Sequence, residues 1–111
     1  MPWPQAYKGE PFLNLNFIYP LKQQTVRELI DHTRTKYPGV EAIAVFGSSV
    51  TPNCRVDSDV DIAIWKPEGY LFIEPDNDVY DVIDVMRIKR ESALGQEIAS
   101  KGVIVYVRDT V

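Results

Sequence analysis

The stretch Phe46-Gly47-Ser48-Ser49-Val50-Thr51-Pro52-Asn53-Cys54-Arg55-Val56-Asp57-Ser58-Asp59-Val60-Asp61 decides how this chain is read. It opens where a nearly continuous apolar run, Val40 to Phe46, gives out. It closes where a second apolar run, Val60 to Trp65, begins. Gly47 lets a ligand come close to the backbone. The hydroxyls of Ser48 and Ser49, with the amides around them, can hold phosphate oxygens, above all if a helix begins there. Asp59 and Asp61 are two apart at the start of a strand, so their carboxylates point to the same side. Such a pair can hold hard cations such as Mg²⁺. Two cations about 4 Å apart would stabilise the attacking and leaving oxygens of a phosphoryl or nucleotidyl transfer.

A third carboxylate on a neighbouring strand would complete the site. The run Tyr80-Asp81-Val82-Ile83-Asp84-Val85 offers two. Strand alternation puts Asp81 on one face with Ile83 and Val85, and Asp84 on the other with Tyr80 and Val82. Pattern alone leaves both open.

Outward from this core the chain reads as helix, strand, strand, strand, helix, strand. Residues 24–37 carry Val26, Leu29, Ile30 and Thr33 at helical spacing, with Thr25 as the expected cap and Pro38-Gly39 as the stop. Val79 to Met86 is β-rich, and Tyr70–Ile73 suits a short strand or one helical turn. Glu91 to Lys101 is the second helix, stopped by Gly102, and Val103 to Val107 is a closing strand. Residues 1–22 hold four prolines and read as an irregular aromatic arm, with a short edge strand at Leu13–Phe17. The remainder, 23–111, is one domain. The fold expected is α/β (α+β): a small mixed sheet carrying the acidic pair, with helices packed on one face.

Composition sets limits. The 111 residues carry 12 Lys+Arg against 16 Asp+Glu, a net charge of −4. Such a chain is a poor binder of nucleic-acid backbones, which need clustered cations. One cysteine, Cys54, and one histidine, His32, exclude an internal disulfide and a zinc centre built on those side chains. Both read as bland, Cys54 as a loop thiol and His32 as solvated. Trp65 reads as packing. Apolar runs are too short to cross a membrane, and the start lacks the pattern of a signal peptide. A cytoplasmic setting is the expectation. Charge is unevenly placed: residues 57–84 hold nine carboxylates against Lys66, and the rest of the chain is net positive. Part of that acid is expected to be solvated loop, with Asp57 a capping or solvated carboxylate and Asp76 and Asp78 turn residues.

Gly47-Ser48 followed after ten residues by Asp59-x-Asp61 resembles the signature of the polymerase-β-like nucleotidyltransferase superfamily. The small size is similar to its minimal nucleotidyltransferase branch, whose members pair with HEPN-type toxins. The resemblance spans about residues 24–107. It implies the nucleotidyltransferase fold, with Gly47 and Ser48 at the triphosphate of ATP or another NTP. It implies Asp59, Asp61 and Asp81 as ligands of Mg²⁺, two ions in all, with Asp81 favoured over Asp84. Arg55 matches a basic position before the acidic pair. Many relatives carry arginines just after Gly-Ser; Ser49, Val50 and Thr51 stand there here. The implied activity is transfer of a nucleoside monophosphate, with AMP expected, to a hydroxyl. With 111 residues there is no room for an acceptor domain, so the acceptor pocket is expected from another protein or another copy. The resemblance implies that the acceptor is a partner toxin.

Other readings compete. Asp57, Asp59 and Asp61 mimic a calcium loop, yet its sixth position requires Gly and is Ile62. A catalytically weak or inactive module could neutralise a partner by occupancy, or the aromatic arm could join two copies. An antibiotic-modifying transferase would need a second chain to complete its pocket.

Overall fold

The computed structural model describes residues 17–73 and 79–108. Helix α1 (Pro20–Lys36) leads into strand β1 (Ala42–Phe46) and a 3₁₀ turn at Gly47–Val50. Strands β2 (Val60–Trp65) and β3 (Tyr80–Asp84) follow, then a 3₁₀ turn at Val85–Arg87, helix α2 (Ala93–Lys101) and strand β4 (Val103–Val107). The expected order and the mixed-sheet α+β class hold. The four strands lie in the order β3-β2-β1-β4. Strand β1 is antiparallel to β2 and β4, and β2 is parallel to β3.

Helix packing departs from expectation, because the two helices cover opposite faces. Val26, Leu29 and Ile30 of α1 pack with Ile43, Val45, Ile62 and Ile64. Ile98 of α2 packs with Ala42, Ala44, Phe46, Ala63 and Ile104. The cause is topological. Strands β3 and β4 sit at opposite edges, so α2 must carry the chain across the whole sheet. A crossover between parallel strands has one favoured hand, which commits α2 to one face and leaves the other to α1. Strand β1 is therefore buried at all five positions. Its alternate residues divide the labour: branched side chains fill the α1 side, and alanines let α2 lie close.

Helix α1 also starts earlier than expected. Pro20 is its first residue and Tyr19 its N-cap. A proline is tolerated there because its missing N–H has no helical acceptor. Thr25 is interior, and its carbonyl accepts the Tyr80 hydroxyl at 3.0 Å. Ile18, 1% exposed, already belongs to the core. Residues 1–16 of the expected arm, including most of Leu13–Phe17, and the turn residues Asp76 and Asp78 lie outside the described residues.

Smaller differences follow local rules. The β-rich run ends at Asp84, whose carboxylate accepts the Met86 amide at 3.0 Å and starts a 3₁₀ turn. Helix α2 begins at Ala93, where Ser92 caps the Gly95 amide at 3.1 Å. Tyr70 to Ile73 forms neither strand nor helix. His32 is half-buried rather than solvated, its ring 5.6 Å from that of Tyr37. Among the described residues no helix is long and apolar enough to cross a membrane.

Candidate active site

Strand register assembles the site. Strand β1 delivers the chain to Gly47, and the antiparallel partner of Phe46 is Asp61. The parallel partner of Asp61 is Asp81. Neighbouring strands lie about 4.8 Å apart, so the two carboxylates rise side by side. Both sit on the α2 side: Asp61 alternates with Val60 and Ile62 of the α1 face, and Asp81 shares its side with Ile83. Asp59, exposed, immediately precedes β2.

Asp84 goes elsewhere. It faces the α1 side, lining a cavity of about 310 Å³ with Lys66, Glu68, Gly69, Met86 and Arg87. Its carboxylate lies 3.3 Å from the Lys66 ammonium and caps the Met86 amide. Register thus separates two carboxylates that the local pattern left equivalent: Asp81 adjoins Asp61 and Asp84 does not.

The Gly-Ser turn fits tightly over Asp61. Gly47 has φ +73°, in the left-handed region. A Cβ there would strike Oδ2 of Asp61. The turn is a single four-residue 3₁₀ turn with no basic side chain, not the start of an α-helix. Ser48 is half-buried, and its carbonyl accepts the Thr51 amide at 3.1 Å. Ser49 is fully buried, and among the described residues its Oγ has no hydrogen-bond partner. Arg55 is exposed in a turn closed through Ser58: the Arg55 amide donates to Ser58 Oγ at 3.2 Å, and its carbonyl accepts the Ser58 amide at 3.1 Å. Strand β2 starts at Val60, so the acidic pair feeds a strand and not a calcium loop.

Electrostatics mark Asp61. Burial first, then the charges of Asp81, Asp59 and Glu97, push its carboxyl above the usual aspartate range. Like charges set side by side are unfavourable, and a bound cation would relieve them. Among the described residues no three carboxylate, imidazole or thiolate side chains could by themselves hold a metal ion. That is compatible with Mg²⁺, which takes one or two carboxylates and completes its shell with waters and substrate phosphates. Asp61 and Asp81, paired by register, are the two carboxylates that such an ion would take.

Two contributors have no local sequence signal. Glu97 reaches Asp61 electrostatically from α2. Lys22, only 6% exposed, donates from α1 to the carbonyls of Val56 (3.2 Å) and Ser58.

A family model described as Polymerase beta, Nucleotidyltransferase matches residues 28–111, about three quarters of the chain. No curated protein matches.

Proposed function

The chain belongs to the polymerase beta nucleotidyltransferase family, and from that premise we propose that it moves AMP from ATP onto a protein hydroxyl. The observation that carries this reading is the register pair Asp61–Asp81 beneath the left-handed turn at Gly47. Asp59, Asp61 and Asp81 would share the Mg²⁺ ions, one or two carboxylates to each, with waters and substrate phosphates completing the shells, and the backbone from Gly47 to Ser48 would seat the triphosphate. Bound Mg²⁺ supplies charge neutralisation at the α-phosphate and the leaving pyrophosphate. The acceptor oxygen bonds to the α-phosphorus as the bond to the β-phosphate's bridging oxygen breaks. The acceptor's proton passes to a carboxylate, and exposed Asp81 is the residue we assign to it.

The acceptor belongs to another protein, and we assign it to a toxin that this chain restrains. The test is to mix the purified chain with the product of the adjacent reading frame, Mg²⁺ and ATP labelled at the α-phosphate. Label on that product, lost with Asp59→Ala plus Asp61→Ala, supports transfer. No label on that product with the unmutated chain overturns it.

One observation favours a second reading. The turn after β1 has no basic side chain to meet a triphosphate, which weakens nucleotide capture. Under this reading the chain neutralises its partner by occupancy. Neutralisation that persists in the double variant, without label, selects it.

A further inference from the structure

We propose that Lys22 is a positioning residue for the acidic pair, holding the loop before Asp59 through the carbonyls of Val56 and Ser58. The role rests on the cation reading of Asp59 and Asp61.

Lys22 sits in the first turn of α1, far along the chain from the loop it holds. Lys22 is only 6% exposed, so its side chain is largely shielded from solvent. Enclosing a lysine head group is costly unless its donors are met. Here the partners are backbone carbonyls, the Val56 oxygen at 3.2 Å and the Ser58 oxygen. The Ser58 carbonyl and the Asp59 amide belong to one planar peptide unit. Fixing that oxygen therefore fixes the peptide that leads into Asp59. On the far side, the Val60 amide donates to the Val79 carbonyl at 2.8 Å. Asp59 is held between these two tethers although it is exposed.

The same turn of helix braces the other half of the motif. The Tyr19 amide donates to the Ser49 carbonyl at 3.0 Å, and the Lys22 amide donates to the Tyr19 carbonyl at 2.9 Å. The start of α1 thus touches both the Gly-Ser turn and the loop before the acidic pair. Residues that orient metal ligands without touching the metal commonly change affinity about 10- to 100-fold when removed. Lys22 works through one peptide unit, so the lower end applies.

The experiment is Mn²⁺ titration followed by electron paramagnetic resonance on the full chain, without nucleotide or partner. Lys22→Met is expected to weaken Mn²⁺ binding about 10-fold. Lys22→Arg keeps the donors and is expected to restore most of the affinity. Val26→Ala removes core packing from the same helix and is expected to lower stability while leaving affinity unchanged. Unchanged affinity in Lys22→Met, with binding abolished by Asp59→Ala plus Asp61→Ala, overturns the role of Lys22 and spares the cation reading. Absence of Asp59-dependent binding in the unmutated chain overturns both. If Lys22→Met does not fold, affinity in Lys22→Arg decides: a loss as large as that expected for Lys22→Met overturns the donor role.

Discussion

The carboxylate of Asp61 occupies the space that a side chain at Gly47 would fill. The turn that would seat phosphate and the acid that would hold the cation are therefore one packed unit. Gly47→Ala meets two obstacles, the left-handed backbone at φ +73° and the collision with Oδ2. A non-glycine residue held there costs about 1–3 kcal/mol. The variant is expected to lose about that much stability in urea unfolding and to displace Asp61, taking transfer activity with it.

Asp61 makes folding respond to pH in an inverted sense for a carboxylate. Its folded pKa lies above its unfolded one, through burial and the charges of Asp81, Asp59 and Glu97. The ionised form is penalised in the fold. That penalty is fully present above the raised folded pKa and disappears as pH falls through it towards the unfolded value. Asp61→Asn is expected to raise the Tm at neutral pH, with the gain shrinking as pH falls through the raised pKa and gone once pH is below the ordinary aspartate range. Mg²⁺ should raise the Tm of the unmutated chain at neutral pH and do little to the variant. A lower Tm for Asp61→Asn at neutral pH would count against this picture.

Asp81 and Asp84 should behave oppositely. Asp81→Asn is expected to abolish transfer with little loss of stability, since its side chain is exposed. Asp84→Ala removes the Met86 cap and leaves the Lys66 ammonium without that carboxylate. It should cost about 0.5–2 kcal/mol, the range for a lost cap, and leave transfer in place. Urea unfolding and a labelled-ATP assay on both variants check this.

Ser48 and Ser49 should also part. The enclosed Ser49 hydroxyl has no partner among the described residues, and burying such a group costs about 1–3 kcal/mol. Ser49→Ala is expected to be neutral or stabilising and to leave ATP affinity unchanged. Ser48→Ala, at a half-buried position in the same turn, is expected to weaken it. Calorimetry with an ATP analogue that cannot release pyrophosphate measures both.

Much of the fold was legible because apolar runs are short and sharply bounded. Strands Val60–Trp65 and Val103–Val107 lie where their apolar runs do. The apolar spacing places the start of α1 at residue 24 and not at Pro20, because proline is a breaker inside a helix and a good first residue at its start. The run from Val40 to Phe46 did carry the sign of a strand covered on both sides. Which helix covers which face depends on strand order, which periodicity does not contain. In the site, Gly47, Asp59 and Asp61 share one stretch and were found together. The local pattern leaves Asp81 and Asp84 open and the resemblance favours Asp81; that Asp81 lies beside Asp61 follows only from the β2–β3 register. Lys22 and Glu97 come from helices distant along the chain, and no local pattern marks them.

The most direct measurement compares two labels in ATP, one at the α-phosphate and one at the γ-phosphate. Each is incubated with the chain, Mg²⁺ and the product of the adjacent reading frame. The account predicts that the α-label alone appears on that protein, that Asp61→Asn and Asp81→Asn abolish it, and that Asp84→Ala does not. Transfer of the γ-label, or α-label transfer that survives Asp61→Asn, would contradict it.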